Sequence, residues 1–120
     1  MGTISNMMDR LRRAREDSRP PVEVSPFGFS VGSAVVVWQL VSEIWAFKAD
    51  LLTTDEVFLE FHIADQIIRV SEEQPGFGAL EEAMRAAFPA TATWRSAVLQ
   101  PPFAQNQTLL FRRGGDQGKG

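Results

Sequence analysis

The chain contains no cysteine, no tyrosine and a single histidine, His62, among its 120 residues. Without cysteine, disulfide frameworks, thiol chemistry and cysteine zinc sites are excluded, and one histidine cannot build a multi-histidine metal site. No apolar run approaches the ~18 residues of a membrane-spanning helix, and the N-terminus lacks the apolar stretch of a secretory signal. We therefore expect a cytoplasmic protein with no integral membrane association and no cofactor.

Apolar residues are abundant enough for one core, since they make up 44% of the chain and include nine Phe and three Trp. The net charge of −3 is unevenly distributed. Residues 1–19 carry five Arg and three acidic residues, a net +2, whereas residues 20–112 carry five basic and eleven acidic residues, a net −6. Because affinity for nucleic acid comes mostly from Lys and Arg on phosphates, this acidic core is a poor candidate for nucleic-acid binding.

The composition divides the chain into three parts. Residues 1–20 are expected to form a disordered basic tail, residues 21–112 a single α+β domain, and residues 113–120 a disordered Gly-rich tail. Within the first tail, an apolar stripe has the spacing of one helical face, formed by Ile4, Met7, Met8 and Leu11. This stripe is open to a second interpretation, a short basic amphipathic helix for a partner or a membrane surface.

Short β-branched and aromatic segments dominate the middle of the chain and predict strands. They cover residues 26–29, 34–38, 43–48, 57–63, 66–71 and 108–112. One main helix is predicted to begin at Pro75 and to bury Phe77, Leu80 and Met84, with Glu81 and Glu82 facing water. A shorter helical turn is predicted at residues 93–98. The pattern indicates an α+β fold: a mostly antiparallel sheet of five to six strands with one main helix packed on it.

The clearest hairpin joins residues 57–63 to residues 66–71 through Ala64-Asp65. A two-residue loop at that point pairs Phe61 with Ile68 and Glu60 with Arg69, because antiparallel partners sum to a constant. The alternation then directs the apolar side chains to one face and brings Glu60 and Arg69 together on the other. A one-residue slip would turn every apolar side chain of the hairpin toward water.

His62 is the natural candidate for a general base, because histidine titrates nearest to neutral pH. No sequence pattern supplies it with a nucleophile, and the acidic pairs of the chain point to opposite faces of strands or lie beside the helix. Glu72-Glu73 is better explained by attraction to the helix N-terminus. The sequence therefore favours a non-catalytic protein.

Three stretches resemble a small uncharacterised bacterial protein family: Ala46–Asp55, Pro75-Gly76-Phe77 and Pro102–Thr108. The resemblance covers roughly residues 27–112 and implies no activity or site. The segment Trp38–Ile44 between two strands, followed by hairpins and a helix, is also similar in layout to pleckstrin-homology-like domains, which implies a partly open barrel. A strand at residues 108–112 departs from that layout, which ends on the helix.

The favoured function is a small non-catalytic protein-interaction or binding module whose partner is another protein, and the family resemblance implies the bacterial cytoplasm. Trp38, Trp45 and Trp94 are the candidate partner-binding residues, because Trp is enriched at interface anchor points. The alternatives are a protein that binds a small apolar ligand and an enzyme that uses His62. An interaction module should expose an apolar surface, a ligand binder should enclose a pocket, and an enzyme should place His62 or a carboxylate inside one.

Overall fold

The computed structural model describes residues 19–50, 55–99 and 107–114, and these residues form seven strands and two α-helices. The strands are β1 (Val22–Ser25), β2 (Gly28–Val31), β3 (Ala34–Val37), β4 (Glu43–Asp50), β5 (Asp55–Ile63), β6 (Gln66–Ser71) and β7 (Gln107–Arg112). The helices are α1 (Phe77–Ala87) and α2 (Trp94–Leu99), with 3-10 turns at Trp38–Leu40 and Pro89–Thr91.

The first sheet is an antiparallel meander in the order β1-β2-β3. Its second turn is the two-residue loop Gly32-Ser33, in which Gly32 has a φ of +61°. Glycine suits the first position of such a loop because it reaches positive φ without a steric cost. The turn aligns Val31 with Ala34 and fixes the register of the hairpin.

The second sheet has the order β6-β5-β4-β7, with every neighbouring pair antiparallel. In the β5–β6 hairpin, Phe61 pairs with Ile68 and Glu60 with Arg69. This register is the predicted one and confirms the Ala64-Asp65 loop. The face of this sheet that carries Glu60 and Arg69 points away from the core, and we call it the outer face of the second sheet.

The two sheets pack face to face, helix α2 lies against β4 and β7 of the second sheet, and helix α1 lies against β1 of the first. Phe29 of the first sheet meets Phe61 of the second with ring centroids 4.9 Å apart. Helix α1 buries Phe77, Leu80 and Met84, as its 3.6-residue spacing predicts. Burial of these apolar side chains is the main term that holds the layers together.

Helix α1 begins two residues later than the sequence predicted. Pro75 lies in the preceding turn, where its carbonyl oxygen accepts a hydrogen bond of 2.8 Å from the Val22 amide. Gly76 then takes the N-cap position with a φ of +91°. Strand β1 is thereby bonded to the turn that starts the helix, a contact between distant parts of the sequence.

The α+β class, with mostly antiparallel strands and one main helix, is confirmed. The expected single sheet of five to six strands is not what forms: in the described residues seven strands make two sheets, and these do not close into a barrel. The 3-10 turn after β3 is the reason, because it carries the chain from one sheet to the other. Strand β1 was not predicted.

Both predicted tails fall mainly outside the described residues, which exclude residues 1–18 and 115–120. Their predicted disorder stays a prediction. Three residues assigned to the tails do contact the folded part. Arg19 forms an ion pair with Glu56, and the Pro20 carbonyl oxygen accepts a hydrogen bond from Gln74. Arg113 donates hydrogen bonds to the carbonyl oxygens of Val41 and Trp38. Parts of the stretches that carry the family resemblance, residues 51–54 and 102–106, also lie outside.

Candidate protein-binding cleft

An open cleft of about 790 Å³ lies between the β2–β3 hairpin of the first sheet and strand β6 of the second. Its volume is within the range of ligand-binding sites, roughly 300–1,000 Å³. Its apolar wall is formed by Val31, Ala34, Val35, Phe58, Ile67 and Ile68. Its polar lining is formed by Arg19, Ser33, Gln66, Arg69, Ser71 and Gln74.

Strand β6 forms one edge of the second sheet and, among the described residues, has no strand on its far side. The Glu72 amide donates to the Val57 carbonyl oxygen across the hairpin, at 2.9 Å. Since N–H and C=O groups alternate in direction along an antiparallel strand, those of Ile68 bond to β5 and those of Ile67 and Arg69 point outward. Strand β6 therefore presents a row of backbone groups to the cleft.

Strand β3 is the corresponding edge of the first sheet within the described part of the chain. The Trp38 amide donates to the Phe27 carbonyl oxygen at 2.9 Å, and the same alternation directs the backbone groups of Val35 and Val37 outward. The side chains of Val35 and Ile67 are 70% and 57% exposed. Two sheet edges and two exposed β-branched side chains thus flank one cleft.

The C-terminal end of β6 is fixed by a buried carboxylate. Glu56 is 5% exposed and accepts hydrogen bonds from the Ser71 hydroxyl and from Nη1 of Arg19, the latter at 2.7 Å. The Gln74 side chain accepts from the Ser71 amide and donates to the Pro20 carbonyl oxygen, both at 2.8 Å. These bonds hold the incoming chain at the end of the cleft.

Arg69 connects the cleft with the outer face of the second sheet. Its Nε and Nη2 donate to Oε2 of Glu60 at 3.0 and 2.7 Å, which confirms the predicted pairing of the two residues. The guanidinium lies 4.8 Å from the centroid of the Phe47 ring, which stacks on Phe58. The Arg69 guanidinium therefore makes both an ion pair and a cation–π contact.

His62 lies on the outer face, between two carboxylates. Its Nε2 is 3.7 Å from Oε1 of Glu60, and its Nδ1 is 3.8 Å from Oε1 of Glu43. In the described structure Nε2 is buried without a hydrogen-bond partner. The indole N–H of Trp45 donates a hydrogen bond to Glu43 at 2.7 Å. This bond and the nearby Arg112 keep the pKa of the Glu43 carboxyl below its usual range, although partial burial tends to raise it.

The three candidate tryptophans have different surroundings. Trp94 is 1% exposed, so its indole offers a partner almost no accessible surface. Trp45 is half-buried on the outer face, beside Glu43. Trp38 is also half-buried, with Phe29 and Phe88 against its ring at centroid distances of 5.5 and 5.7 Å. None of the three is among the residues that line the cleft.

Sequence reasoning did not identify Val35 or Ile67 as surface residues of interest. The run Ala34–Val37 is uniformly apolar and was interpreted as one strand without assigning its faces, although Val36 is fully buried and Val35 is exposed. The alternation of side chains in the predicted β5–β6 hairpin could have identified Ile67, because it places that side chain on the same face of the sheet as Arg69.

The described residues contain no group of three or more His, Asp or Glu side chains arranged to hold a metal ion. No helix within them has the length and apolar character needed to cross a bilayer.

Comparison of the chain with protein-family models, with curated proteins and with solved structures found no match.

Proposed function

We propose that the protein is a non-catalytic interaction module that binds an extended segment of another protein in the cleft. The segment adds as a strand to the outward edge of β6, while its side chains contact the β2–β3 hairpin. The observation that carries this proposal is the position of Ile67 and Arg69, whose outward backbone groups face a cleft with apolar walls. Strand β6 is favoured over β3 because it has six residues rather than four.

Strand addition fits the chemistry of this surface. Main-chain hydrogen bonds to an exposed edge give affinity, and alternate side chains of the added strand give specificity. An added segment would direct alternate side chains to the two faces of the sheet, one set beside Ala34 and Ile68 and the other beside Ile67 and Arg69. We therefore expect its sequence to alternate, with small or β-branched apolar residues at every second position.

The alternatives predicted from the sequence are less well supported. A small apolar ligand is usually buried over 70–90% of its surface, whereas this cleft is open to solvent. An enzyme using His62 would need that side chain within a binding site, and His62 does not line the cleft. The acidic charge of residues 20–112 supports a protein rather than a nucleic-acid partner. The cytoplasmic location and the resemblance to a bacterial family remain part of the proposal.

The proposal is tested by selecting peptides from a random library on the full chain and measuring their affinity for edge variants. Ile67→Pro removes the outward N–H, and proline is tolerated at such positions on edge strands. Ile67→Ala keeps the N–H and removes more apolar surface, so it is the matched control. We expect the proline variant to bind at least about fivefold more weakly than the alanine variant, since one hydrogen bond contributes about 1 kcal/mol.

Thermal unfolding of both variants establishes that each retains the fold. Equal affinities of the folded Ile67→Pro and Ile67→Ala variants would contradict strand addition to β6. Selected peptides whose binding shifts amide resonances around Trp45 and Glu43 but none in β6 would place the interaction surface elsewhere.

A further inference from the structure

The charged side chains that line the cleft are all of one sign. Among the described residues, its lining includes Arg19 and Arg69 but no aspartate or glutamate. Each guanidinium forms an ion pair with a buried carboxylate, Arg19 with Glu56 and Arg69 with Glu60. The side chains of Arg19 and Arg69 are themselves 22% and 56% exposed. The cleft therefore presents cationic groups, whereas the carboxylates that pair with them are shielded from solvent.

The two arginines lie at the same end of strand β6. Oε2 of Glu56 accepts hydrogen bonds from both Arg19 and the Ser71 hydroxyl, which places the Arg19 guanidinium beside Ser71. Ser71 and Arg69 are two positions apart on β6, so their side chains are on the same face of the sheet, about 7 Å apart along the strand. Arg19 and Arg69 thus concentrate positive charge at the C-terminal end of β6.

The outward backbone edge of β6 ends at the same place. The alternation along the strand directs the backbone groups of Ser71 outward, like those of Ile67 and Arg69. The Ser71 amide, however, donates to Oε1 of Gln74 at 2.8 Å, and its carbonyl oxygen accepts from the Gln74 amide at 3.0 Å. Within the described structure, Gln74 thus leaves Ile67 and Arg69 as the residues to which an added segment can bond. One residue of such a segment lies directly opposite Arg69, with its side chain on the same face of the sheet.

We infer that the partner segment is acidic and carries an aspartate or glutamate opposite Arg69. This inference rests on the proposed function, because it specifies the ligand of the same cleft. A guanidinium has five N–H donors, and Arg69 bonds to Glu60 through Nε and Nη2. Among the described residues its Nη1 group has no hydrogen-bond partner and can donate to a second carboxylate. Opposite charges on facing strand residues stabilise the pairing of the two strands.

The acidic charge of the whole domain does not cancel this preference. Residues 20–112 carry a net −6, but exposed charges more than about 8 Å apart are largely screened at physiological ionic strength. The two carboxylates nearest to the arginines, Glu56 and Glu60, are buried, so the side chain of the segment meets the exposed guanidinium of Arg69. A basic residue at the same position would face a like charge, which destabilises a pair of facing strand residues.

Three synthetic peptide pools test the inference on the full chain. Each pool consists of heptapeptides with blocked ends whose outer positions vary among Val, Thr, Ala and Ser, and the pools differ only in the central residue, which is Glu, Gln or Lys. Binding is followed at the amide resonances of Ile67 and Arg69. We expect the Glu pool to bind at least about threefold more tightly than the Gln pool, and the Lys pool to bind most weakly.

A double variant, Glu60→Gln with Arg69→Gln, removes the cation together with its buried partner, so no carboxylate is left unpaired. It should lose most of the preference for the Glu pool. The matched control is Glu43→Gln with Arg112→Gln, which removes another cross-strand ion pair of the same sheet, outside the cleft lining, and should keep the preference. Thermal unfolding establishes that both double variants retain the fold.

The possible outcomes separate this inference from the proposed function. Equal binding of the three pools at the Ile67 and Arg69 amides would overturn the inference and leave strand addition to β6 intact. A preference for the Glu pool that persists in the Glu60→Gln, Arg69→Gln variant would also overturn it. Pools that shift neither amide would contradict strand addition itself, and the inference with it.

Discussion

Arg69 shows how one side chain serves both stability and the proposed site. Its guanidinium satisfies Glu60, which is only 5% exposed, and lies over the Phe47 ring. Its backbone amide points toward the cleft. A charged residue on an edge strand also discourages unwanted pairing between exposed edges, so Arg69 limits aggregation while leaving the edge open to a specific partner.

Arg69→Ala is expected to lower the free energy of unfolding by about 1–2 kcal/mol. Removing the arginine leaves a buried carboxylate unpaired, which is costly, but the Arg69 side chain is itself 56% exposed, so solvent screening reduces the effect. Arg69→Lys keeps the charge and should lose less. Urea denaturation measures both variants, and equal losses would show that the cation contributes nothing to the pairing.

Gly76 links helix α1 to strand β1. It has a φ of +91°, and a Cβ at this position would lie 2.2 Å from the Val22 carbonyl oxygen. Gly78, in the first turn of the same helix, has open space around its Cα, with nothing within 4 Å of an added Cβ. The two glycines are therefore a matched pair, one required by the backbone and one not.

Gly76→Ala is expected to cost at least about 2 kcal/mol of stability, because it adds a left-handed strain of 1–2 kcal/mol to a clash with backbone. Gly78→Ala should instead stabilise the protein by about 0.5–1 kcal/mol, since alanine is the better helix former. Thermal and urea unfolding of the two variants give the comparison. Changes in stability of similar size and the same sign would mean that Gly76 is not held against the Val22 carbonyl oxygen.

Glu81 joins the two helices and was predicted to face water. It accepts hydrogen bonds of 2.9 Å from Nε1 of Trp94 and from Nε of Arg95, and pairs with Arg85 one turn away. Burial tends to raise the pKa of Glu81, but the bonds and charge of Arg95, with Trp94 and Arg85, outweigh it and lower the pKa below its ordinary value.

Because the pKa of Glu81 is lower in the folded state, its carboxylate stabilises the protein fully at pH values above its ordinary pKa of 4.5. This stabilisation is lost as the pH falls through the folded-state pKa. Glu81→Gln removes this contribution. We expect the variant to be less stable by about 1–2 kcal/mol at pH 7, with the difference shrinking as the pH is lowered below about 4.5. Urea unfolding across that range is the measurement. A difference in stability that does not change with pH would mean that the negative charge of Glu81 does not contribute to its contacts with α2.

The sequence predicted those elements whose pattern is local. The β5–β6 hairpin follows from strict alternation about a two-residue loop, and the buried face of α1 follows from helical spacing. Strand β1 was missed because only Val22 of its four residues is buried, so its sequence gives little apolar signal although it pairs with β2 across a two-residue turn. The division into two sheets and the cleft could not be read from local patterns, since both depend on how separate hairpins pack.

At the level of the whole molecule, the cleft exists because the chain crosses from one sheet to the other after β3. The first sheet ends at β3 and the second at β6, and the described residues provide no strand beyond either edge. Exposed sheet edges with apolar side chains are an aggregation risk that proteins usually reduce. Their presence on both sides of one cleft is the feature that the proposed function explains.

Hydrogen exchange of the β6 amides with a selected peptide bound tests strand addition most directly. In the free protein, Ile68 and Val70 should exchange slowly because their amides bond to β5, whereas Ile67 and Arg69 should exchange quickly. Bound peptide is expected to slow hydrogen exchange at the Ile67 and Arg69 amides by about tenfold or more. The amides of Ile68 and Val70 should remain the slowest of the four to exchange. Binding that leaves the Ile67 and Arg69 amides in fast exchange would contradict the account.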